Sequence, residues 1–138
     1  MTAPNLAPLM DRFVRRLHLS LQAKARSFDS YEVGPVGGMI LMVMEEAGPL
    51  TMQALANEMV RDKSQMTRMV APLERKGLVS RAPGAGDARQ SIVALTPQGR
   101  DFVRALKDVV AQTIDEVLAP IPPKDRDLLA ALLSRALT

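Results

Sequence analysis

Residues 50–81, LTMQALANEMVRDKSQMTRMVAPLERKGLVSR, decide the fold. Thr51 is a capping residue, and behind it Met52, Leu55, Ala56 and Met59 repeat at the i, i+3, i+4, i+7 spacing of a short amphipathic helix. A polar turn follows at Arg61 and Asp62. A second helix repeats the spacing with Met66, Met69, Val70 and Leu73; Asp62 caps it with Gln65 three residues on, and Gly77 stops it. Two short helices with matching faces and a brief turn predict a helix-turn-helix. Beyond Gly77 the period changes from 3.6 to 2. Residues 78–82 and 91–95 read as strands, and PGAGDARQ between them is rich in turn formers. A β-hairpin in that place is the wing of a winged helix.

Working outward, Leu6, Leu9, Met10, Phe13, Val14, Leu17 and Leu21 stripe a helix over about residues 6–27. Gly34 and Pro35 open a second helix that ends at Ala47 before Gly48 and Pro49. It is apolar nearly all round, which places it centrally in the packing, with Gly37 and Gly38 permitting close approach of another helix. Thr96 and Pro97 open a helix striped by Phe102, Leu106, Val109, Val110, Ile114 and Val117. The segment APIPP at 119–123 ends it, and a last short helix carries Leu128, Leu129, Leu132, Leu133 and Leu137. The predicted class is mainly α with a small β-hairpin, residues 1–138 forming a single domain. In it a winged helix-turn-helix DNA-binding region at 35–96 is flanked by long dimerisation helices at 1–34 and 97–138. One small winged helix cannot cover such amphipathic arms, so a second copy is the economical partner.

Composition agrees. The chain has 138 residues, the size of one domain, 47% of them apolar but only 3% aromatic, so Leu, Val, Ala and nine Met must supply the packing. The absence of cysteine excludes a disulfide framework, a thiolate nucleophile, a cysteine zinc site and a thiol redox sensor. The longest apolar run, 39–44, is far short of the ~20 residues that span a bilayer. The N-terminal sequence carries no basic segment followed by an apolar stretch, so a cytoplasmic protein with no membrane partner is expected. The net charge of +3 is unevenly distributed. Residues 61–104 hold nine Lys/Arg against four Asp/Glu, whereas 1–60 hold five against six and 105–138 hold four against five. The local excess marks a polyanion-facing surface.

With the apolar stripe of the fourth helix buried, Ser64, Arg68, Ala71 and Arg75 point outward and Gln65 and Thr67 flank them. Arg can fork to guanine, Gln can bridge adenine, and Ser and Thr serve base edges or phosphates. Arg61 and Lys63 add cations at the helix entrance. Asp87 and Arg89 lie two residues apart at the wing tip, where Asp87 can orient the Arg89 guanidinium toward a minor groove or a phosphate. Pro72 removes a backbone bond to the Arg68 carbonyl and is expected to bend or split the helix.

LTMQALANEMVRDKSQMTRMVAPLERKGLVSR, followed by GDARQSIVALTPQGR, resembles the multiple antibiotic resistance regulator (MarR) family of bacterial transcription factors. LERKGLV (residues 73–79), Asp87-Ala88-Arg89 and LTPQG (residues 95–99) carry the resemblance most specifically. It implies a homodimer whose first, fifth and sixth helices interleave, with each winged helix entering one half of a near-palindromic duplex site. It also implies that Ser64, Gln65, Thr67 and Arg68 match base- and backbone-contacting positions and that Asp87 and Arg89 match the wing motif. Such regulators are usually repressors released by small aromatic ligands bound in a crevice, here bordered by the first, second and fifth helices with His18, Met39 and Met42 as candidates.

An enzyme reading lacks parts. His18, the only histidine, falls on the Val14/Leu21 side of its helix and reads as a hydrogen-bonded core residue. The adjacent acids Glu45/Glu46 and Asp115/Glu116 diverge by about 100° on helices instead of converging. No Asp/Glu/His spacing suggests a metal, and no cofactor is expected. A different class of function is a winged-helix protein-interaction module without DNA binding.

Overall fold

In the computed structural model the described residues are 4–84 and 86–138, the side chains of 87–89 lying outside that set. The elements run α1 (Ala7–Phe28), α2 (Gly34–Ala47), β1 (Leu50–Thr51), α3 (Met52–Glu58), α4 (Lys63–Arg75), β2 (Val79–Gly84), β3 (Asp87–Leu95), α5 (Pro97–Val117) and α6 (Pro123–Ala136). They pack as two units, one of residues 26–107 and one of residues 1–25 with 108–138. This packing division differs from the functional one expected at 34/35 and 96/97, because Tyr31, Phe102, Val103 and Leu106 pack within the 26–107 unit.

Local chemistry sets the ends of the short helices. Thr51 Oγ1 accepts from the Ala54 N–H at 3.0 Å, so the cap of α3 forms as its sequence requires. Both α3 and α4 then end in a Schellman turn. At α4, Leu78 N–H donates to the Leu73 carbonyl and Gly77 N–H to that of Glu74, with Gly77 at φ 78. At α3, Arg61 N–H donates to the Ala56 carbonyl and Val60 N–H to that of Asn57, with Val60 at φ 53. Glycine adopts this left-handed conformation freely, whereas an L side chain loses roughly 1–2 kcal/mol there.

The 26–107 unit has a core of its own. Ile40, Leu41 and Met44 from α2 meet Leu55 and Ala56 of α3, Met66, Val70 and Leu73 of α4, Val79 and Val93 of the sheet, and Phe102, Val103 and Leu106 of α5, all buried. A Cβ on Gly38 would stand 3.2 Å from Leu106 Cδ2, the close approach expected of the α2 glycines. Thr96 joins three elements: its hydroxyl donates to the Gly77 carbonyl at 2.6 Å and accepts from Gly99 N–H at 3.0 Å, and its own N–H donates to the Leu78 carbonyl. A Cβ on Gly99 would collide with that same Leu78 carbonyl, which explains the glycine in LTPQG.

Several expectations need correction. The hairpin is part of a three-stranded antiparallel sheet, order β1-β3-β2, with Leu50 opposite Val93 and Thr51 opposite Ile92. A two-residue strand is too short to show an alternation, so its sequence gives no signal. The strands of the wing also extend into the expected turn, Gly84 standing opposite Asp87. α2 is buried on one face only: Val36 and Met39 are exposed. α4 is not split at Pro72 but continues as one helix to Arg75.

In the unit of residues 1–25 and 108–138, neither α1 nor α6 has a buried residue. Polar contacts tie its helices together. Lys24 Nζ donates to Thr113 Oγ1 at 3.0 Å and pairs with Glu116 at 2.8 Å, Thr113 being fully buried. Arg126 of α6 turns its guanidinium on the end of α5 and the turn after it, donating to the carbonyls of Asp115, Leu118 and Ile121. His18 is exposed here and not in a core, because the Val14 side of α1 on which it lies is itself uncovered.

Candidate nucleic-acid interface

Asp62 is extended, as an N-cap must be, and its Oδ1 accepts from Gln65 N–H at 2.7 Å while Gln65 Oε1 accepts from Asp62 N–H at 3.2 Å. This reciprocal capping box satisfies two of the orphan donors at the entrance of α4 and fixes the angle at which the helix leaves the turn. Thr67 Oγ1 donates to the Lys63 carbonyl one turn back, at 2.8 Å.

With Met66, Val70 and Leu73 pointing into the core, Ser64, Arg68 and Arg75 come out exposed along one face. Arg61 and Lys63 are exposed at its start, and Gln65, Thr67 and Ala71 are half-buried at its edges. Arg61, Lys63, Arg68 and Arg75 have no carboxylate within ion-pair distance among the described residues. Four unneutralised cations on and beside one helix create a field that attracts a polyanion and leaves every guanidinium fork available. Gln65 differs from its neighbours. Bridging adenine needs its carbonyl and amide groups together, and the capping box holds the carbonyl.

Of the expected wing pair, the backbones of Asp87 and Arg89 lie in β3, and their side chains fall outside the described residues. Two cations not singled out from the sequence take defined positions. Arg81 of β2 pairs through Nε with Glu74 of α4 at 3.1 Å, and Lys76 Nζ donates to the Glu32 carbonyl at 2.9 Å. Both bonds join residues on separate segments of the fold, so no local periodicity could announce them.

Of the expected effector residues, His18 belongs to the unit of residues 1–25 and 108–138, and Met39 and Met42 to the 26–107 unit, where Met39 is 55% exposed and Met42 half-buried. A groove of about 710 Å³ lies within the unit of residues 1–25 and 108–138, lined by Leu9, Arg12, Phe13, Arg16, Leu19 and Val117 among others. Among the described residues no three of His, Asp or Glu gather as a metal site.

Residues 37–91, from the middle of α2 through the wing, match the model of the MarR family. That winged helix is a MarR-family domain. The chain is 31% identical over 96 residues to the HTH-type transcriptional regulator YdgJ of Bacillus subtilis, covering 70% of this chain and 58% of that protein. It is 37% identical over 90 residues to an HTH-type transcriptional regulator of Mycobacterium bovis, covering 64% of this chain and 62% of the relative. The matched segment thus spans about three fifths of those relatives' length. The MarR fold extends over the whole chain: MarR of E. coli in its apo form superposes with a TM-score of 0.83 at 22% identity, with 100% of each chain covered. A transcriptional repressor, CouR, bound to a 23-mer DNA duplex gives 0.75 at 20% identity, covering 99% of this chain and 100% of its own. The PcaV regulator of Streptomyces coelicolor in complex with its natural ligand gives 0.67 at 23%, covering 99% and 97%. The remaining MarR hallmarks fall where the fold needs them: LERKGLV is the end of α4, its left-handed glycine and the start of β2, and LTPQG is the Thr96-centred junction of β3 with α5.

Proposed function

We propose that this chain is a DNA-binding transcriptional regulator, not an enzyme, acting in the cytoplasm as a homodimeric repressor on near-palindromic duplex DNA and released by a small aromatic ligand. The observation that carries the reading is the capped helix α4 of a MarR domain, presenting Ser64, Arg68 and Arg75 outward beside Arg61 and Lys63, with no carboxylate among the described residues to neutralise them. The region 35–96 is assigned to DNA. The regions 1–34 and 97–138 are assigned to dimerisation, which the exposed Leu9, Met10, Val14, Leu128, Leu132 and Leu133 favour. In the dimer the two recognition helices should stand about 34–36 Å apart to enter successive major grooves. Asp87 and Arg89 are assigned to the wing contact. CouR was observed on DNA and PcaV with a ligand, which supports both halves of the reading. The lack of cysteine excludes thiol oxidation as the trigger of release, which favours a ligand.

Duplex binding tests this. Affinity for a selected duplex should fall steeply with salt, the log–log slope being about −0.9 per phosphate neutralised. Arg68→Ala should lose discrimination at particular base pairs by about 1–3 kcal/mol, while Lys63→Ala weakens all sequences alike and flattens the salt slope by about 1. A wild-type chain that binds no duplex would turn the assignment toward a protein-interaction module.

A further inference from the structure

Val60 occupies the tightest point of the helix-turn-helix in the left-handed conformation, at φ 53, and is 89% exposed. Gly77 fills the equivalent position of the other Schellman turn, so the fold itself accepts glycine there. Val60 is β-branched, the side-chain type least suited to positive φ. Its isopropyl group packs against almost nothing in the free chain, so the strain is not offset by burial. Strain of this kind is retained at sites where a partner rewards it. The neighbours identify the partner: Arg61, Lys63 and Ser64 are exposed immediately after it, at the entrance of the helix assigned to the duplex.

We propose that Val60 is a direct duplex contact, its exposed isopropyl group meeting an apolar edge of the duplex that α4 enters, either a thymine C5 methyl, which would make it a specificity determinant, or a deoxyribose face, which would make it a positioning contact. The inference rests on the DNA-binding reading. The turn then delivers an apolar side chain beside the cations, which read phosphates and hydrogen-bonding edges but cannot read a methyl group. Glycine at this position would relax the turn but remove the contact.

The test uses the full chain and a duplex selected by the wild-type protein from a randomised pool, with an unselected duplex of equal length as control. Val60→Gly should melt at a higher temperature than wild type yet bind the selected duplex about three- to tenfold more weakly, a contact of one or two methyl groups. Val60→Ala keeps a Cβ at positive φ but loses the β-branch, so it should gain less stability than Val60→Gly, while losing affinity by a similar factor. Replacing single thymines of the selected duplex by deoxyuridine locates the contact: a loss for wild type that vanishes in Val60→Gly assigns the thymine methyl, and a loss in the variants that no deoxyuridine reproduces assigns the sugar. Wild-type affinity in both variants would overturn the proposal. A wild-type chain that discriminates no duplex would show its failure in the first arm, before any variant is compared, and would remove the DNA-binding reading with it.

Discussion

The 26–107 unit and the unit of residues 1–25 with 108–138 have similar proportions of apolar side chains but use them differently. In the former, α2, α3, α4, the sheet and the first turns of α5 bury Leu55, Met66, Val70, Leu78 and Val103 completely. In the latter, α1 and α6 bury nothing, and Leu9, Met10, Leu128 and Leu132 remain about half exposed. A winged helix closes a core because three short helices and a sheet surround one another. The two helices α1 and α6, with one apolar stripe each, have no such closure and leave that stripe for another surface. The 26–107 unit therefore covers its own apolar residues, whereas α1 and α6 leave theirs open to another surface.

Four experiments break or sharpen that contrast. Leu55→Ala, in the self-contained core, should lower unfolding free energy by about 2–5 kcal/mol in chemical denaturation; a loss below about 1 kcal/mol would mean that the core is looser than its burial indicates. The double change Leu128→Asp with Leu132→Asp should leave the winged helix folded but weaken self-association by ~2 kcal/mol or more, read as a monomer in sedimentation at concentrations where wild type is dimeric. If wild type already sediments as a monomer, the contrast between the units fails. Thr96→Val keeps the shape of the side chain but orphans the Gly77 carbonyl and the Gly99 N–H, for a cost of about 1–3 kcal/mol. Glu74→Gln should be the mildest, within about 1 kcal/mol, because its bond to Arg81 is partly solvated at both ends. A larger loss would mean that the ion pair holds the wing stem against α4 more firmly than a surface pair does.

Much of the fold was legible because its signals are local. The boundaries of α2, α3 and α4 follow from Gly34-Pro35, Thr51, Asp62 with Gln65, and Gly77, residues whose side chains or φ preferences act within one helical turn. The outward face of α4 was legible for the same reason, once Met66, Val70 and Leu73 were assigned inward. What escaped was nonlocal. β1 exists only because Leu50 and Thr51 lie beside Val93 and Ile92. Arg81 and Lys76 have partners 7 and 44 positions away, and their roles cannot be inferred from spacing. His18 lies on the apolar stripe of its helix, but a stripe states only which side prefers cover, not whether the chain itself supplies it.

The sequence by itself determined where each helix begins and ends, which face of α4 carries the cations and that no thiol chemistry is available, since these depend on covalent identity and contacts within a few residues. Only the tertiary structure decided that one apolar set closes on itself while the other stays uncovered, that Arg81 and Lys76 find partners on distant segments, and that a valine stands exposed at positive φ in the turn before α4. Burial and backbone strain are set by which segments pack together, and that is a property of the assembled chain.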